Sequence, residues 1–326
     1  MAVDRNIERA VAVLRAGGLV AFPTETVYGL GADAGNPAAV RKIFETKGRP
    51  ATHPVIVHLA DAVQLANWAR DVPEAARTLA RRFWPGPLTL ILTRASGVSD
   101  TVTGGQDTVA LRVPSHPVAQ KLLARFGGGI AAPSANRHGR VSATTADHVS
   151  REFGDAVECV LDGGEARIGI ESTIVDLSGK GAALARPGWI TVGEIEAALG
   201  APLVARAADG PRAPGMLAAH YAPRTPLMLA EGDLAIELAA SLVRQGKRVA
   251  VLARSARQPL LQGLEWMAAA QDAAGYAHAL YASLRHLDES GCDAIIVENP
   301  PRAEEWAAIN DRLARAATGS FVADET

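Results

Sequence analysis

Residues 47–58 read Lys-Gly-Arg-Pro-Ala-Thr-His-Pro-Val-Ile-Val-His, a turn with two fixed cations that leads into a β-branched run. The run predicts a buried strand, and the glycine and proline before it predict a tight loop. A Lys ammonium beside an Arg guanidinium on such a loop suits an anion with several oxygens. For this tetrapeptide alone a solvated basic loop is the simpler interpretation. Further polar clusters, each at the end of an apolar run, favour a binding site.

Outward from this segment, residues 1–206 alternate short apolar runs with helical patterns. Strands are predicted at residues 19–22, 55–57, 88–92, 109–113 and 173–177. Helices are predicted at residues 6–16, 37–46, 74–83 and 117–125. Because these elements do not follow a strict strand–helix–strand order, we expect an α/β fold with a twisted mixed sheet rather than an all-parallel one.

A Pro/Gly/Ala-rich stretch without periodicity, residues 207–215, is typical of an interdomain linker. We therefore predict a first domain over residues 1–206, a linker over 207–225 and a smaller α/β domain over 226–326. In the smaller domain, helices are predicted around residues 234–242, 276–287 and 306–313, and strands at 249–253 and 295–297. No GxGxxG motif follows a strand there, so the topology alone does not indicate a dinucleotide site.

The composition is that of an ordinary soluble globular protein. Of the 326 residues 48% are hydrophobic and 21% charged, and the net charge of -2 provides no overall field for nucleic acid or an anionic membrane. Cys159 and Cys292 show neither CxxC spacing nor a disulfide framework. The N-terminus enters an amphipathic segment rather than an apolar signal region, and no run reaches the length of a membrane span. We expect a cytoplasmic protein.

Two polar clusters accompany predicted strands. In Pro-Thr-Glu-Thr-Val-Tyr-Gly-Leu at residues 23–30, an extended backbone would point Thr24 and Thr26 to one side, toward a cleft. An edge strand with ordinary threonines is the alternative. Arg112 lies inside the apolar strand 109–113, where an arginine is costly unless it is paired. It pairs either with a structural carboxylate or with the carboxylate of a ligand, and both interpretations stay open.

Small polar residues follow other strands. Ser134 lies at the carboxyl end of one of them, where α/β sheets bind ligands, and Ser142 follows; helix N-caps are the alternative for both. Residues 169–176 and 186–188 add hydroxyls, carboxylates and a cation, or are turn chemistry only. The sequence has no P-loop, GxSxG or HExxH motif. It therefore predicts a binding surface for phosphates and small carboxylates without a covalent nucleophile.

Taken together, PTETVYGL, KGRP leading into PVIVHL, PSAN, STIVD and RPG resemble the YrdC/Sua5 family of threonylcarbamoyl-AMP synthases. The PG-x4-HYAP segment (Pro214, Gly215 and His220 to Pro223) resembles the linker of the longer Sua5 form. The resemblance implies a twisted α/β domain with a large concave, positively charged cavity, joined to a Rossmann-like domain. It also implies a nucleotidyltransferase that forms L-threonylcarbamoyladenylate and pyrophosphate from L-threonine, bicarbonate and ATP. Partner proteins would then transfer the threonylcarbamoyl group to adenosine 37 of tRNA, the t6A modification.

The resemblance also implies roles for particular residues. The L-threonine pocket would use Thr26, His58, Arg112, the backbone of Ala132, and Ser172. The ATP site would use Lys47, Arg49, His53, Thr108, Ser134, Ser142, Arg186 and Tyr221. Lys47 and Arg49 would be catalytic, since positioning reactants and stabilising phosphate charge need no nucleophile. Many relatives have Asn where this chain has His53, whose neutral imidazole still donates one hydrogen bond. A Mg²⁺ ion would bridge the ATP phosphates without dedicated protein ligands.

Two other functions compete with this one. The basic surface would bind RNA without catalysis in the first, and the near-neutral net charge counts against it. The second keeps the carbamoyl-adenylate chemistry with another acceptor, as in hydrogenase-maturation relatives, whose extra segments this chain lacks. The sequence leaves open whether the second domain gates the site or recruits the transferase, and His58 is a candidate proton acceptor by position only. Because the carbamate is labile in water, the linker from Gly210 to Pro223 is the candidate cover.

Overall fold

The computed structural model describes the backbone of residues 2–322 and the side chains of residues 4–319. This part of the chain forms two compact units. The first contains the residues up to His138 together with Ala143–Met216, and the second contains Gly139–Ser142 together with the residues from Leu217 onward. The chain thus passes from one unit to the other inside the predicted linker. The membership of Gly139–Ser142 in the second unit was not predicted.

Within the described residues, the first unit is built on a nine-stranded mixed sheet, which confirms the predicted fold class. The strands are β1 (Val20–Phe22), β2 (Gly29–Asp33), β3 (Ile56–His58), β4 (Leu88–Thr93), β5 (Thr108–Arg112), β6 (Ile130–Ala131), β7 (Cys159–Val160), β8 (Thr173–Asp176) and β9 (Ala183–Arg186). They lie in the order β7-β1-β2-β6-β3-β5-β4-β8-β9. The pairs β1/β7, β3/β5 and β4/β8 are parallel, whereas the other neighbours are antiparallel.

The helices of this unit are α1 (Ala2–Arg15), α2 (Pro37–Lys47), α3 (Leu65–Trp68), α4 (Glu74–Phe83), α5 (Asp100–Thr103), α6 (Pro117–Phe126), α7 (Ala146–Phe153) and α8 (Val192–Leu199). Helix α2 is the one that most affects the polar residues. The Asn36 side chain caps its N-terminus, and Gly48 ends it in the left-handed conformation with a φ of 64°. The turn leaves Lys47 as the last helical residue and sends Arg49 in a new direction.

Strand alternation separates the two sides of the sheet. Val57, Leu90 and Leu111 face the main apolar core. Their neighbours face the other side, where Ile56, Ile91, Ala110, Ile174 and Ala185 form a smaller apolar cluster with Ala213. The same alternation puts His58 next to Ile56, Thr89 next to Ile91 and Arg112 next to Ala110 on that side. We call this side of β3, β5, β4 and β8 the mixed face, because it carries apolar and polar side chains together.

The second unit has a four-stranded sheet in the order β10-β13-β11-β12, in which all neighbours are parallel. Its strands are β10 (Leu227–Ala230), β11 (Val249–Ala253), β12 (Leu264–Ala268) and β13 (Ala294–Glu298), and its helices are α9 (Gly232–Arg244), α10 (Ala273–Glu289) and α11 (Ala307–Val322). The predicted second α/β pattern is confirmed, although β10 and β12 were not predicted. No helix in the described part of the chain is long and apolar enough to cross a membrane.

Candidate active site

Arg112, the last residue of β5, is held on the mixed face by three hydrogen bonds. Its Nη2 donates to Glu25 Oε1 at 2.7 Å, its Nη1 to Thr26 Oγ1 at 2.9 Å and its Nε to the Gly86 carbonyl at 3.2 Å. Both Arg112 and Glu25 are buried, so their charges interact strongly. Of the two partners considered for Arg112, the structural carboxylate is therefore present, as Glu25. A ligand carboxylate as a second partner stays a prediction. Three of the five guanidinium N–H groups donate to described residues, which leaves two for a ligand carboxylate.

The turn at residues 23–28 holds Glu25 and Thr26. These residues form bends instead of the expected extended segment, so alternation does not position the two threonines. Thr24 Oγ1 donates to the Val27 carbonyl at 2.6 Å and lies 2.8 Å from Thr26 Oγ1. The second Glu25 oxygen accepts the Ser115 N–H at 3.0 Å. Glu25 was not predicted as a site residue, and its place between two threonines next to a strand was the available signal.

His58 ends β3 directly beside Arg112, its register partner on β5. Its ring meets Phe22 edge-on, with 5.8 Å between the centroids. Burial, followed by the Arg112 guanidinium, lowers the pKa of His58 to about 3, so the imidazole is neutral at physiological pH. Among the described residues its buried Nδ1 has no hydrogen-bond partner. His58 is therefore a fixed, neutral hydrogen-bonding group, and a weak base for an amine proton.

Ser172 and Arg186 contact each other next to Thr89, which the antiparallel register of β4 and β5 sets beside Arg112. Ser172 Oγ lies 2.8 Å from Thr89 Oγ1, and Arg186 Nη2 donates to the Ser172 carbonyl at 2.8 Å. Arg186 Nη1 also donates to the Pro214 carbonyl at 3.0 Å. The structure thus joins a residue predicted for L-threonine to one predicted for ATP. Thr89 was not predicted, because a threonine inside an apolar strand carries no signal of its own.

Lys47 reaches across from the end of α2 to the loop after β6. Its Nζ donates to the Ser134 carbonyl at 2.6 Å and also to the Asn136 carbonyl. Burial, followed by the Arg49 guanidinium, lowers the pKa of Lys47 well below its usual range, while Glu152 acts in the opposite direction. Ser134 caps no helix, since the nearby α7 is capped by Thr145. The N-cap alternative for Ser134 is therefore wrong.

Four more basic side chains accompany Lys47 in the first unit. The His53 and His138 rings lie 5.7 Å apart, centroid to centroid. Burial, followed by Arg49, lowers the pKa of both imidazoles, that of His138 to about 4. Arg212 also lowers the pKa of His53. We call Lys47, Arg49, His53, His138 and Arg212 the cation cluster; His138 and Arg212 were not predicted as site residues.

Two further predicted residues lie in the first unit. Thr108 begins β5, and alternation places it on the same side as Ala110 and Arg112. The Ala132 N–H donates to the Ile56 carbonyl at 2.9 Å, so a backbone contact with a ligand would use the Ala132 carbonyl.

Ser142 and Tyr221, both predicted for ATP, belong to the second unit. Arg285 donates to the Ser142 carbonyl at 3.2 Å, and Ser142 is not a helix N-cap. Tyr221 has a φ of 61°, in the left-handed region that is costly for a tyrosine. Its buried ring stacks on Tyr281 and lies 5.1 Å from the Arg312 guanidinium. The predicted contact of either residue with the nucleotide stays a prediction.

The first unit combines an arginine with two N–H groups left for a carboxylate and a cluster of cations suited to phosphates. Within the described residues no group of three or more His, Cys, Asp or Glu side chains is placed to hold a metal ion. The hydroxyls of Thr24 and Thr26 contact each other, as do those of Thr89 and Ser172, which is not the arrangement of a nucleophilic triad with a histidine base. These features define an α/β protein that binds a small carboxylate and a phosphate-bearing ligand.

Comparisons with known proteins agree with this class. A family model described as "Telomere recombination" (Sua5_yciO_yrdC) matches residues 12–188, and one described as "Threonylcarbamoyl-AMP synthase, C-terminal domain" matches residues 190–318. The Threonylcarbamoyl-AMP synthase of Pyrococcus abyssi is 42% identical over 95% of this chain and 94% of its own length. That of Bacillus subtilis is 42% identical over 98% and 95%.

A solved structure gives the same answer. P. abyssi Sua5 complexed with L-threonine has a TM-score of 0.90 and 41% identity, covering 96% of this chain and 94% of that one. The chain therefore belongs to the Sua5/YrdC family of threonylcarbamoyl-AMP synthases and carries both the Sua5_yciO_yrdC and the Sua5_C domains.

Proposed function

We propose that this protein is an L-threonylcarbamoyladenylate synthase that forms threonylcarbamoyl-AMP and pyrophosphate from L-threonine, bicarbonate and ATP. The observation that carries the proposal is that one unit contains both Arg112, on the mixed face, and the cation cluster. The first provides N–H groups for an amino-acid carboxylate, and the second provides positive charge for a triphosphate.

The L-threonine side is built around Arg112. Its two remaining N–H groups bind the amino-acid carboxylate, while the hydrogen bond that it donates to Glu25 keeps the guanidinium in place. Thr26, His58 and Ser172 surround it with hydroxyls and a neutral imidazole. These groups suit a zwitterion with a hydroxyl side chain, because they add hydrogen bonds without adding net charge.

The ATP side is built around Lys47 and Arg49. Bound phosphates favour the charged ammonium and so raise the pKa of Lys47 again. Together with Arg186, these cations stabilise the charge that develops on the α-phosphate and on the leaving pyrophosphate. A Mg²⁺ ion would be held by phosphate oxygens and water, beside the cations Lys47 and Arg49. When bound, it neutralises phosphate charge.

The reaction then requires two bond-forming steps. The neutral threonine amine forms a nitrogen–carbon bond with carbon dioxide, or with bicarbonate as its C–OH bond breaks and hydroxide leaves. The nitrogen then loses a proton, and a carbamate results. A carbamate oxygen attacks the α-phosphorus, and the bond to the β-phosphate oxygen breaks, releasing pyrophosphate. Because His58 has a pKa of about 3, the amine loses its proton to water or to bicarbonate-derived base rather than to this ring.

The first part of the linker supports its proposed role as a cover. Ala213 and Met216 pack on the mixed face with Ile56 and Ala110. Arg212 fixes this segment, since its backbone N–H donates to Gln106 Oε1 at 2.6 Å and its Nη2 to the Gly104 carbonyl at 2.9 Å. A covered site would keep water away from the carbamate.

We further propose that the product passes to a threonylcarbamoyl transferase complex for t6A modification of tRNA in the cytoplasm. Direct contact of this chain with tRNA would be weak, because its net charge is -2. The second unit either gates the site or recruits that complex. Comparing synthesis and transfer rates of the full chain with those of variants on the second unit's surface would separate these roles.

The first experiment is pyrophosphate release by the purified full chain, with L-threonine and bicarbonate each present or omitted. Release should need both co-substrates and should be lost in Lys47→Ala and in Arg112→Ala. The matched controls are Lys247→Ala and Arg257→Ala, which change exposed residues of the second unit. Release that is indifferent to L-threonine would overturn the proposal, and salt-sensitive tRNA binding without ATP turnover would favour the RNA-binding alternative.

A further inference from the structure

We propose that His53 and His138 together contact the phosphate chain of the ligand. The two imidazoles take up protons from solvent when ATP or pyrophosphate binds. The inference rests on the proposed function and adds to it a substrate-contacting residue, His138, and a proton-coupled binding step. The two rings lie 5.7 Å apart between centroids at an interplanar angle of 56°. At this spacing nitrogens of both rings can reach one phosphate group.

Both rings are placed by short, well-fixed segments. The His53 N–H donates to the Pro50 carbonyl at 3.1 Å, which closes the turn before β3. The His138 N–H donates to the Lys47 carbonyl at 2.8 Å, and the Lys47 ammonium holds the Ser134 and Asn136 carbonyls of the same loop. The end of α2 therefore fixes the His138 loop, and the pair needs little rearrangement to bind an anion.

The charges that act on the pair have the sign expected at an anion site. Arg49 and Arg212 act on His53, whereas Arg49, Lys47 and His53 act on His138. Glu152 is a carboxylate that acts on this cluster, through Lys47. Packing like charges together is unfavourable by itself, and a bound polyphosphate offsets the repulsion.

A metal ion is the other ligand that two imidazoles would suggest. Divalent cations bind imidazole well, but here Lys47, Arg49 and Arg212 would repel them. The same three residues attract phosphate oxygens. Once phosphate is bound, its negative charge favours the imidazolium form, so protons move from solvent to the rings.

The test is calorimetric titration of the full chain with inorganic pyrophosphate, in two buffers that differ in heat of ionisation, between about pH 6 and about pH 8. Pyrophosphate binds without turnover, so the outcome is independent of L-threonine. The wild type should take up more protons than His53→Asn/His138→Asn. Relative to that variant, wild-type affinity should rise about tenfold per pH unit on acidification for each coupled proton. His138→Asn alone should lose part of both effects.

The matched control is His286→Asn, which changes an exposed histidine of the second unit that pairs with Glu265. It should behave as the wild type does, and urea unfolding of each variant checks that it is folded. Equal proton uptake in the wild type and the double variant would overturn the proposal. The proposal would also be overturned if Zn²⁺ binding required both histidines while proton uptake on pyrophosphate binding did not depend on them. Neither result touches the synthase assignment, which fails only if pyrophosphate release does not need L-threonine.

Discussion

The two units place polar residues at the carboxyl ends of parallel strands in different ways. In the first unit, His58 and Arg112 end the neighbouring strands β3 and β5, in register with each other. In the second unit, Arg254 and Ser255 follow β11, while Glu298 ends the neighbouring strand β13. Strand ends of this kind are where α/β sheets bind ligands.

In the second unit the chain supplies its own anion. Glu298 Oε2 accepts three successive backbone N–H groups, from Arg254, Ser255 and Ala256 at 2.7, 2.8 and 3.0 Å. The Ser255 hydroxyl donates to the other oxygen. Burial would raise the pKa of Glu298, but these hydrogen bonds outweigh it and lower the pKa. The backbone N–H groups of the loop after β11 thus bind the Glu298 carboxylate in the way that a phosphate-binding loop binds phosphate.

The first unit instead brings several basic side chains together. Glu25 pairs with Arg112, yet two guanidinium N–H groups remain, and the cation cluster carries Lys47, Arg49 and Arg212 close to two neutral imidazoles. Similar strand ends thus carry different charges in the two units, so the fold alone does not identify the unit that binds the ligand. What distinguishes the two units is the charge at these positions: a buried carboxylate in the second unit, and several basic side chains in the first.

The strongest test of this comparison is a double-mutant cycle on Glu25 and Arg112. Arg112→Ala should lower the free energy of unfolding by about 4 kcal/mol, because it leaves a buried carboxylate unpaired. The double variant Glu25→Ala/Arg112→Ala should lose less than the sum of the single losses. Urea unfolding measures all three. The exposed pair Asp147 and Arg151 is the control, with a coupling of about 0.5 kcal/mol or less. A coupling that small at Glu25 and Arg112 would contradict the buried pair.

A second test concerns the self-occupied loop. Glu298→Ala leaves three N–H groups and a hydroxyl without their acceptor, so the free energy of unfolding should fall by about 3 kcal/mol. Added inorganic phosphate should raise the Tm of this variant more than that of the wild type, because an anion can replace the carboxylate.

Pyrophosphate release by folded Glu298→Ala should equal that of the wild type at a temperature where both are folded. A large loss of activity would mean that the second unit acts on the chemistry, and the comparison between the units would fail. An equal phosphate response in both proteins would show instead that the loop binds no anion.

The elements that the sequence predicted are those with strong apolar periods. The strands around β3, β4, β5 and β8 were predicted, and the mixed sheet is confirmed. Of the strands that were missed, β7 has two residues and β10 is only partly buried, whereas β2 is buried but contains two glycines, which are not typical of a strand. Strand β12 is partly exposed along its length, so no apolar run marks it. Apolar and polar residues alternate along a strand only where one of its faces is buried, so a strand without a buried face has no such pattern in the sequence.

The site residues follow a similar rule. Lys47 and Arg112 were predicted because a cation on a Gly/Pro loop or within an apolar strand is conspicuous. Glu25 was missed because its importance depends on a partner 87 positions away. The same holds for His138, whose ring neighbour His53 lies in another loop. Pairing across such separations is a property of the fold, which a single sequence does not show.

A third test separates positioning from binding at Arg112. Glu25→Gln keeps the side-chain shape but removes the charge that holds the guanidinium, so the KM for L-threonine should rise about tenfold. The KM for ATP should stay the same, because Glu25 contacts the arginine and not the cation cluster. Initial rates of pyrophosphate release against each substrate provide both values. A parallel rise of both KM values would indicate a general loss of structure, and Glu298→Gln is the buried-carboxylate control.

The smallest effect is expected at His58. If His58 accepted the amine proton, His58→Asn would cost about a hundredfold or more in kcat. Because its pKa is about 3, we expect a loss of less than about tenfold and an unchanged pH–rate profile above pH 5. Loss of an acid limb in that profile on substitution would contradict the assignment of His58 as a neutral hydrogen-bonding group.

The same pKa has a consequence for stability with a definite sign. His58 is neutral in the folded protein down to a pH of about 3, whereas in the unfolded chain it takes up a proton near a pH of about 6.5. The unfolded state therefore binds more protons between these values, and the stabilisation present above this window is lost as pH falls through it. The free energy of unfolding, measured with urea, should fall more steeply from pH 7 to pH 4 in the wild type than in His58→Asn. Parallel curves would mean that Arg112 and burial leave His58 free to ionise, and it would then again be a candidate base.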